Sequence, residues 1–188
     1  MKKIDLVILA GGKGTRIKKF LKNRPKPMLK FNKKYFLEYL LQGLSKYDFE
    51  KIYILTGYKS KSIFDKFHNK YVNFTKIKCV KEKIPLGTGG ALSILKKENI
   101  NDFILTNGDT IFDIDLISLI KSRNKNYLGS IALTKNYKNS NSLKLNNISL
   151  KKNLVTLDKR SDLMNGGIYY FKKQILKSIS ERNYSLEN

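Results

Sequence analysis

Near its amino end the chain reads Ile4-Asp5-Leu6-Val7-Ile8-Leu9-Ala10-Gly11-Gly12-Lys13-Gly14-Thr15-Arg16. Residues 4–9 form a near-continuous apolar run, which is typical of a strand buried on both faces of a parallel sheet. The glycines that follow permit positive φ angles and let backbone N–H groups come close to an anion. Arg16 adds a planar fork of donors that suits phosphate oxygens. The stretch therefore predicts a first buried strand followed by an anion-binding turn.

This glycine turn differs from two well-known phosphate-binding loops. No Gly-Lys-Ser or Gly-Lys-Thr ends it, so it is not a Walker loop. Its glycine spacing differs from the dinucleotide fingerprint, and no acidic residue clearly follows the second predicted strand. Taken alone, three glycines also fit a purely structural strand-to-helix turn.

Downstream, strand patterns alternate with helical periodicity. Predicted strands cover residues 51–56, 77–80, 102–106, 129–134 and 167–171. Predicted helices cover residues 36–47, 60–70, 91–97 and 116–122, with a further short helix after the last strand. This order predicts an α/β fold with a Rossmann-like, mostly parallel (mixed) sheet flanked by helices. Residues 135–153 are rich in Asn, Ser and Lys, and we expect them to form an exposed, poorly packed excursion.

Polar and glycine-rich segments follow several of the predicted strands. They are the turn at residues 11–14, a second glycine turn at residues 87–90, and Asn107-Gly108-Asp109. Ligands of such sheets bind at the carboxyl ends of the strands, so we expect these segments to meet in one crevice.

Composition limits the class of protein. With 188 residues and 41% hydrophobic content, the chain can form one domain with one core, and no run is long enough to span a membrane. The single Cys79 excludes an internal disulfide and favours a cytoplasmic location. The net charge of +23 is spread along the whole chain, which favours collection of anionic substrates over binding of nucleic acid.

Individual residues also suggest chemistry. Pro25 and Pro27 restrain the backbone around Lys26, whose ammonium can meet a phosphate. Asp109 follows a strand and is a typical ligand for Mg²⁺, which takes only one or two carboxylates. We expect structural roles for Asp115 as a helix cap, Cys79 in the core, and His68 on the solvated surface.

The motifs together resemble those of sugar-phosphate nucleotidyltransferases. The first is Gly11-Gly12-Lys13-Gly14-Thr15-Arg16, followed at the family's spacing by Pro25-Lys26-Pro27-Met28. In the same order come Glu82 with Pro85-Leu86-Gly87-Thr88-Gly89-Gly90-Ala91, then Asn107-Gly108-Asp109, then Asn165-Gly166-Gly167-Ile168-Tyr169. Within this family, the short length and residues 107–116 are most similar to D-glycero-α-D-manno-heptose 1-phosphate guanylyltransferases, with mannose 1-phosphate guanylyltransferases close behind.

The resemblance implies transfer of a nucleotidyl group, GMP from GTP, to a sugar 1-phosphate, with Mg²⁺ as cofactor. It implies three catalytic residues, namely Arg16 at the outer phosphates, Lys26 at the α-phosphate and Asp109 on the metal. The other residues implied at the nucleotide are Leu9, Gly11, Gly12, Lys13, Gly14 and Thr15 around the triphosphate, and Glu82, Gly87 and Thr88 at the base. Those implied at the sugar phosphate are Gly108, Lys159, Asn165 and Gly166.

The chain departs from the family pattern at three places. Asn139-Ser140-Asn141-Ser142 stands where the family has Arg-Tyr-Gly, and Asp158-Lys159 stands for its Glu-Lys pair. No second metal-binding Asp occurs before Asn188, so we expect residues 1–188 to be a single domain that lacks its C-terminal end. Alternatives left open are a uridylyl-, cytidylyl- or thymidylyltransferase, and a catalytically weak, nucleotide-sugar-binding regulatory or partner subunit. A homo-oligomer is also possible.

Overall fold

The fold is that of a computed structural model, which describes residues 3–21, 23–111, 113–122, 124–135, 147–151, 154–157 and 161–186. Its strands are β1 (Ile4–Ala10), β2 (Lys30–Phe31), β3 (Lys34–Tyr35), β4 (Lys51–Thr56), β5 (Tyr71–Val72), β6 (Thr75–Lys81), β7 (Asp102–Asn107), β8 (Gly129–Lys135), β9 (Asn147–Lys151), β10 (Leu154–Leu157) and β11 (Leu163–Phe171). The α-helices are α1 (Phe36–Leu44), α2 (Lys61–Phe67), α3 (Gly87–Gly90) and α4 (Leu116–Lys121). Shorter 3₁₀ helices are Thr15–Phe20, Lys26–Met28, Ala91–Lys97 and Lys173–Lys177.

The centre of the main sheet is parallel. In the described residues the strand order is β10-β9-β11-β7-β1-β4-β6-β5, and β8 also pairs with β11. β1 lies between β4 and β7 and is parallel to both, and β4 is parallel to β6. The antiparallel β11 extends the sheet beyond β7. The predicted α/β fold with a mixed sheet and a parallel centre is therefore confirmed.

The apolar run of β1 is explained by burial on both faces. Leu6 and Ile8 pack on one side in a cluster that includes Leu37 of α1 and Ile63 of α2. Val7 points to the other side, into a cluster with Leu92. Side chains alternate across a strand, so an all-apolar strand supplies both cores at once.

Part of residues 135–153, the segment predicted as an exposed excursion, forms the strand β9 of the main sheet. The prediction was therefore wrong for this described part. β9 pairs with both β10 and β11, and Ile148 is buried. Pairing with β11 gives the polar β9 a place in the sheet that its composition did not indicate, because strand propensity depends on the neighbouring strands. Residues 136–146, 152 and 153 lie outside the described residues.

Two further predictions changed in detail. The glycines of residues 87–90 form α3, so this segment is the first turn of a longer helical stretch that continues as Ala91–Lys97. β11 begins four residues earlier than predicted and contains a register shift between Asn165 and Tyr169, where Gly167 has a φ of +74°. Among the described residues, no helix has the length and apolar character needed to span a membrane.

Candidate functional site

A cleft of about 880 Å³ opens at the carboxyl ends of the parallel strands. Its lining comes from the carboxyl ends of β1, β4, β6 and β7 and from the loops after them, and these segments are far apart in the sequence. Of the predicted site residues, eleven line it: Leu9, Gly11, Gly12, Lys13, Gly14, Thr15, Lys26, Glu82, Gly87, Thr88 and Asp109. The expected convergence of the glycine segments with Asp109 is therefore present in the structure.

The first glycine turn runs from β1 into the 3₁₀ helix Thr15–Phe20. Gly14 has a φ of +61°, and a Cβ at this position would lie 2.8 Å from Cδ1 of Leu21. A Cβ on Gly12, by contrast, would meet no atom within 4 Å. Gly14 thus shapes the turn, while Gly12 borders the open cleft. The side chain of Arg16, which carries the expected contact with the outer phosphates, lies outside the described residues.

Lys26 and Asp109 meet in the cleft although 83 positions separate them. The Nζ of Lys26 donates to Oδ2 of Asp109 at 2.6 Å. Thr110 donates through its hydroxyl to Oδ1 of the same carboxylate at 3.2 Å. Lys26 opens the 3₁₀ helix Lys26–Met28, whose Met28 is buried in the core, so its backbone is anchored. The structure thus places a cation and a carboxylate, both half-exposed, in direct contact.

Gly108 has a packing role beside this pair. Its N–H donates to the carbonyl of Leu9 at 2.8 Å, and a Cβ would lie 2.7 Å from that same oxygen. The close approach holds the end of β7 against the end of β1. Gly108 is not part of the cleft lining, so its expected contact with a sugar phosphate stays a prediction.

Glu82 enters the cleft from the end of β6. Its carboxylate lies between the backbones of Gly11 and Gly57, where a Cβ on either glycine would collide with it. The N–H of Leu86 donates to Oε2 at 3.2 Å. Burial raises the pKa of the Glu82 carboxyl above its ordinary value, although the hydrogen bond from Leu86 opposes the shift. Gly57 directly follows β4. No sequence pattern indicated that a side chain at this position would collide with Glu82.

The residues expected at the sugar are less clearly placed. Asn165 accepts from the N–H of Gly167 at 2.7 Å and donates to the hydroxyl of Tyr169 at 2.5 Å. A Cβ on Gly166 would lie 2.9 Å from the carbonyl oxygen of Ala132. Both residues belong to the irregular part of β11 and do not line the cleft. Lys159, together with Asp158, lies outside the described residues.

The cleft carries more positive than negative side chains. Besides Lys26 it is lined by Lys13, Lys81 and Lys83, against the carboxylates of Glu82 and Asp109. Lys81, Lys83, Tyr58 and Asn183 were not among the predicted site residues. Lys81 and Lys83 flank Glu82 in the sequence, and that adjacency was the available signal. A cleft with this balance of charge favours a polyanionic ligand.

The described residues contain no group of three or more His, Cys, Asp or Glu side chains that could hold a metal alone. Asp109 offers a single carboxylate at the rim of a cleft lined by glycine backbone and lysines. Such a donor set fits Mg²⁺ that takes its remaining ligands from phosphate and water.

Of the three residues expected to have structural or surface positions, Asp115 and Cys79 are placed as expected and His68 is not. Asp115 caps α4 by accepting from the N–H of Ile117 at 2.9 Å. Cys79 is buried, and burial raises the pKa of its thiol to about 12. His68 is half-buried, and not fully solvated as expected, because its Nδ1 accepts from the N–H of Cys79 and its ring stacks on Phe64.

Comparison with known proteins gives the following similarities. Residues 6–187 match the family described as nucleotidyl transferase. The chain is 34% identical, over 98% of its length and 83% of the relative's, to the D-glycero-alpha-D-manno-heptose 1-phosphate guanylyltransferase of Campylobacter jejuni. It is 31% identical over 97% of its length to the bifunctional protein GlmU of Methanocaldococcus jannaschii, of which it spans only 43%.

Two solved structures share the fold. HddC from Yersinia pseudotuberculosis, complexed with GMP-PN, has a TM-score of 0.78 at 28% identity, with coverage of 100% of this chain and 84% of that one. The inositol-1-phosphate CTP transferase from T. maritima has a TM-score of 0.75, and at 17% identity it shows likeness of fold alone.

Proposed function

Because the chain belongs to the nucleotidyl transferase family, we propose that it transfers the guanylyl group of GTP to a sugar 1-phosphate and releases pyrophosphate. A heptose 1-phosphate is the first candidate substrate, because the heptose 1-phosphate guanylyltransferase of Campylobacter jejuni is similar over nearly the whole chain.

The observation that carries the proposal is the arrangement of the cleft. The glycine turn, the Lys26–Asp109 pair and Glu82 line one space of about 880 Å³, which is large enough for a nucleotide. Backbone N–H groups and lysines suit the triphosphate, and the half-buried carboxylate suits the base. Each part of a nucleoside triphosphate thus has a matching part of the cleft.

The reaction requires little acid–base chemistry. A phosphate oxygen of the sugar 1-phosphate attacks the α-phosphorus, the bond from that phosphorus to the bridging oxygen breaks, and pyrophosphate leaves with the electron pair. The attacking oxygen is already anionic, so no general base is needed. The protein must align the reactants and stabilise charge on the phosphoryl oxygens. Lys26 supplies positive charge at the α-phosphate, where charge develops in the transition state.

We propose that Asp109 holds Mg²⁺ when the triphosphate is bound, and that the ion supplies charge neutralisation on the phosphates. Asp109→Asn should then remove most of the Mg²⁺ dependence of GTP binding in calorimetry. Asp113→Asn, a nearby carboxylate outside the main cleft, is the control and should retain it. Equal Mg²⁺ dependence in Asp109→Asn and the parent would contradict the assignment.

The Glu82 carboxylate supports guanine as the base. Guanine presents two adjacent donors, N1–H and the N2 amino group, which one carboxylate can accept together. Uracil and thymine present a single N3–H between two carbonyl oxygens, and these oxygens would face the carboxylate unfavourably. Cytosine and adenine each offer an amino donor beside an acceptor nitrogen, which a carboxylate cannot accept from. An ionised carboxylate at this position therefore selects guanine among the common bases.

The test is a pyrophosphate-release assay of GTP, ATP, UTP, CTP and dTTP against a panel of sugar 1-phosphates. We expect turnover with GTP and a heptose or mannose 1-phosphate. Turnover with UTP, CTP or dTTP and none with GTP would overturn the base assignment and leave the nucleotidyl transfer intact. GTP binding without turnover of any sugar phosphate would instead favour the regulatory or partner subunit.

A further inference from the structure

A tail segment, defined here as residues 182–186, lies directly on α3. The N–H of Gly89 donates to the carbonyl of Tyr184 at 3.0 Å, and the N–H of Tyr184 donates to the carbonyl of Leu86 at 3.1 Å. The N–H of Leu186 donates to the hydroxyl of Thr88 at 2.9 Å. With a further hydrogen bond between the hydroxyls of Thr88 and Ser185 at 3.3 Å, four hydrogen bonds attach the tail segment to the loop and helix that begin at Leu86.

The glycines of α3 make this close approach possible. A Cβ on Gly89 would overlap the aromatic ring of Tyr184, and a Cβ on Gly90 would overlap the carbonyl oxygen of Arg182. A Cβ on Gly87 would meet the carbonyl of Tyr184 and the amide oxygen of Asn183. The space that these three glycines leave is filled by the tail segment, so the backbone N–H of Gly89 is not available to a base.

The tail segment is connected to the cleft in two ways. Leu86 accepts from Tyr184 through its carbonyl and donates through its own N–H to the Glu82 carboxylate. Asn183, next to Tyr184, lines the cleft together with Glu82, Gly87 and Thr88. The tail segment therefore contacts the residue that donates to Glu82 and supplies Asn183 to one wall of the cleft.

We propose that the tail segment is a positioning element of the nucleotide site: Tyr184 holds Leu86 and α3 so that the Glu82 carboxylate is aligned for the base. This inference rests on the proposed function, because it assigns a role in binding GTP. Tyr184 acts through Leu86 and Glu82 and does not itself contact the reacting atoms. Its loss should affect the nucleotide more than the sugar phosphate.

The test uses the full chain with Gly89→Ala, Tyr184→Ala and the double variant. Gly89 does not have a positive φ, so alanine is allowed by its backbone and the strain arises from the Tyr184 ring. Gly89→Ala should raise the Kd of GTP about tenfold, which corresponds to about 1.4 kcal/mol. The double variant removes the ring and retains the main-chain hydrogen bonds, so it should recover most of that loss.

Tyr184→Ala alone loses the ring and keeps the main-chain hydrogen bonds, so it should raise the Kd and KM of GTP less than Gly89→Ala does and lower the preference for GTP over UTP, with the KM of the sugar phosphate unchanged. Tyr184→Phe keeps the ring and should resemble the parent. Tyr71→Ala is the matched control, since Tyr71 is an exposed tyrosine of β5 that does not line the cleft.

The outcomes distinguish a failure of the proposed function from a failure of the positioning role. A parent chain that binds no GTP would overturn the proposed function itself. A parent that binds GTP, with Gly89→Ala and Tyr184→Ala binding equally well, would overturn the positioning role alone. A double variant as weak as Gly89→Ala would also overturn it, because the loss would not pass through the ring.

Discussion

At the scale of single residues, the contact between Lys26 and Asp109 is the most informative one. The 2.6 Å hydrogen bond joins the two charges that the reaction is expected to use. Each neutralises the other while no triphosphate separates them. We expect a bound triphosphate to give Lys26 a new anionic partner in place of Asp109.

Lys26→Ala should lower kcat on the order of 10²–10³-fold, because the lost charge acts mainly on the transition state. The Kd of GTP should change much less. Steady-state kinetics with direct binding measurements give both numbers, and Lys30→Ala, an exposed lysine in β2, serves as the control. An unchanged kcat would remove Lys26 from the mechanism.

Glu82 makes a prediction about pH. Because burial raises its pKa, the carboxylate takes up a proton at a higher pH than an exposed glutamate does. The ionised form, which accepts from guanine, is present above that raised pKa and is lost as the pH falls through it. GTP affinity should therefore decrease as the pH falls from neutral toward the ordinary pKa of a glutamate.

Glu82→Gln should weaken GTP binding about tenfold and make what remains insensitive to pH over this range. UTP should bind relatively better, since an amide can both donate and accept. Calorimetry at several pH values measures this. If Glu82→Gln has the same pH profile as the parent, Glu82 does not read the base.

At the scale of the element, the first glycine turn separates two uses of glycine. Gly14 needs glycine for its backbone, since its φ is +61° and a Cβ would press on Leu21. Gly12 needs it only for the space of the cleft, where a Cβ meets no protein atom. Glycine thus shapes the backbone at one position and borders the open cleft two residues earlier, where we expect it to serve binding.

Gly14→Ala should destabilise the chain by about 1–2 kcal/mol, the cost of a left-handed conformation for a residue with a side chain. Gly12→Ala should leave the melting temperature unchanged and still weaken GTP binding. Thermal unfolding and GTP titration of both variants test the distinction. A loss of stability in Gly12→Ala equal to that in Gly14→Ala would contradict it.

Across the molecule, the candidate site lies at the carboxyl end of β1, and a buried carboxylate that destabilises the fold lies near its amino end. This carboxylate belongs to Asp5, the second residue of β1, which is fully buried. Its Oδ2 accepts from the backbone and the side chain of Asn101, and its Oδ1 has no hydrogen-bond partner among the described residues. Burial raises the pKa of Asp5, so its ionised form opposes folding.

Asp5→Asn should therefore raise the melting temperature at neutral pH by about 2–4 °C, the shift that ~1 kcal/mol produces in a chain of this size. A raised pKa in the folded state means that stability is fully present below the unfolded value and is lost as the pH rises through the folded value. The advantage of Asp5→Asn should accordingly shrink as the pH is lowered toward that of an ordinary aspartate. A constant difference at all pH values would show that ionisation is not the cause.

The net charge of +23 belongs to the same scale. Part of it lines the cleft, at Lys13, Lys26, Lys81 and Lys83, where it can attract a triphosphate and a sugar phosphate. The position of these lysines supports the expectation that the positive charge attracts anionic small molecules.

The parallel strands, the glycine turns and the end of the sheet at which the cleft lies could all be predicted from the amino-acid sequence. These features follow from local patterns, because an all-apolar strand such as β1 must be covered on both faces and its loops must emerge at a shared edge. The contacts between residues distant in sequence became known from the three-dimensional structure. It paired Lys26 with Asp109, placed Glu82 between Gly11 and Gly57, drew β9 into the sheet and laid residues 182–186 on α3. Such contacts depend on strand order and on the space that glycines leave in other elements. Neither can be predicted from a local sequence pattern.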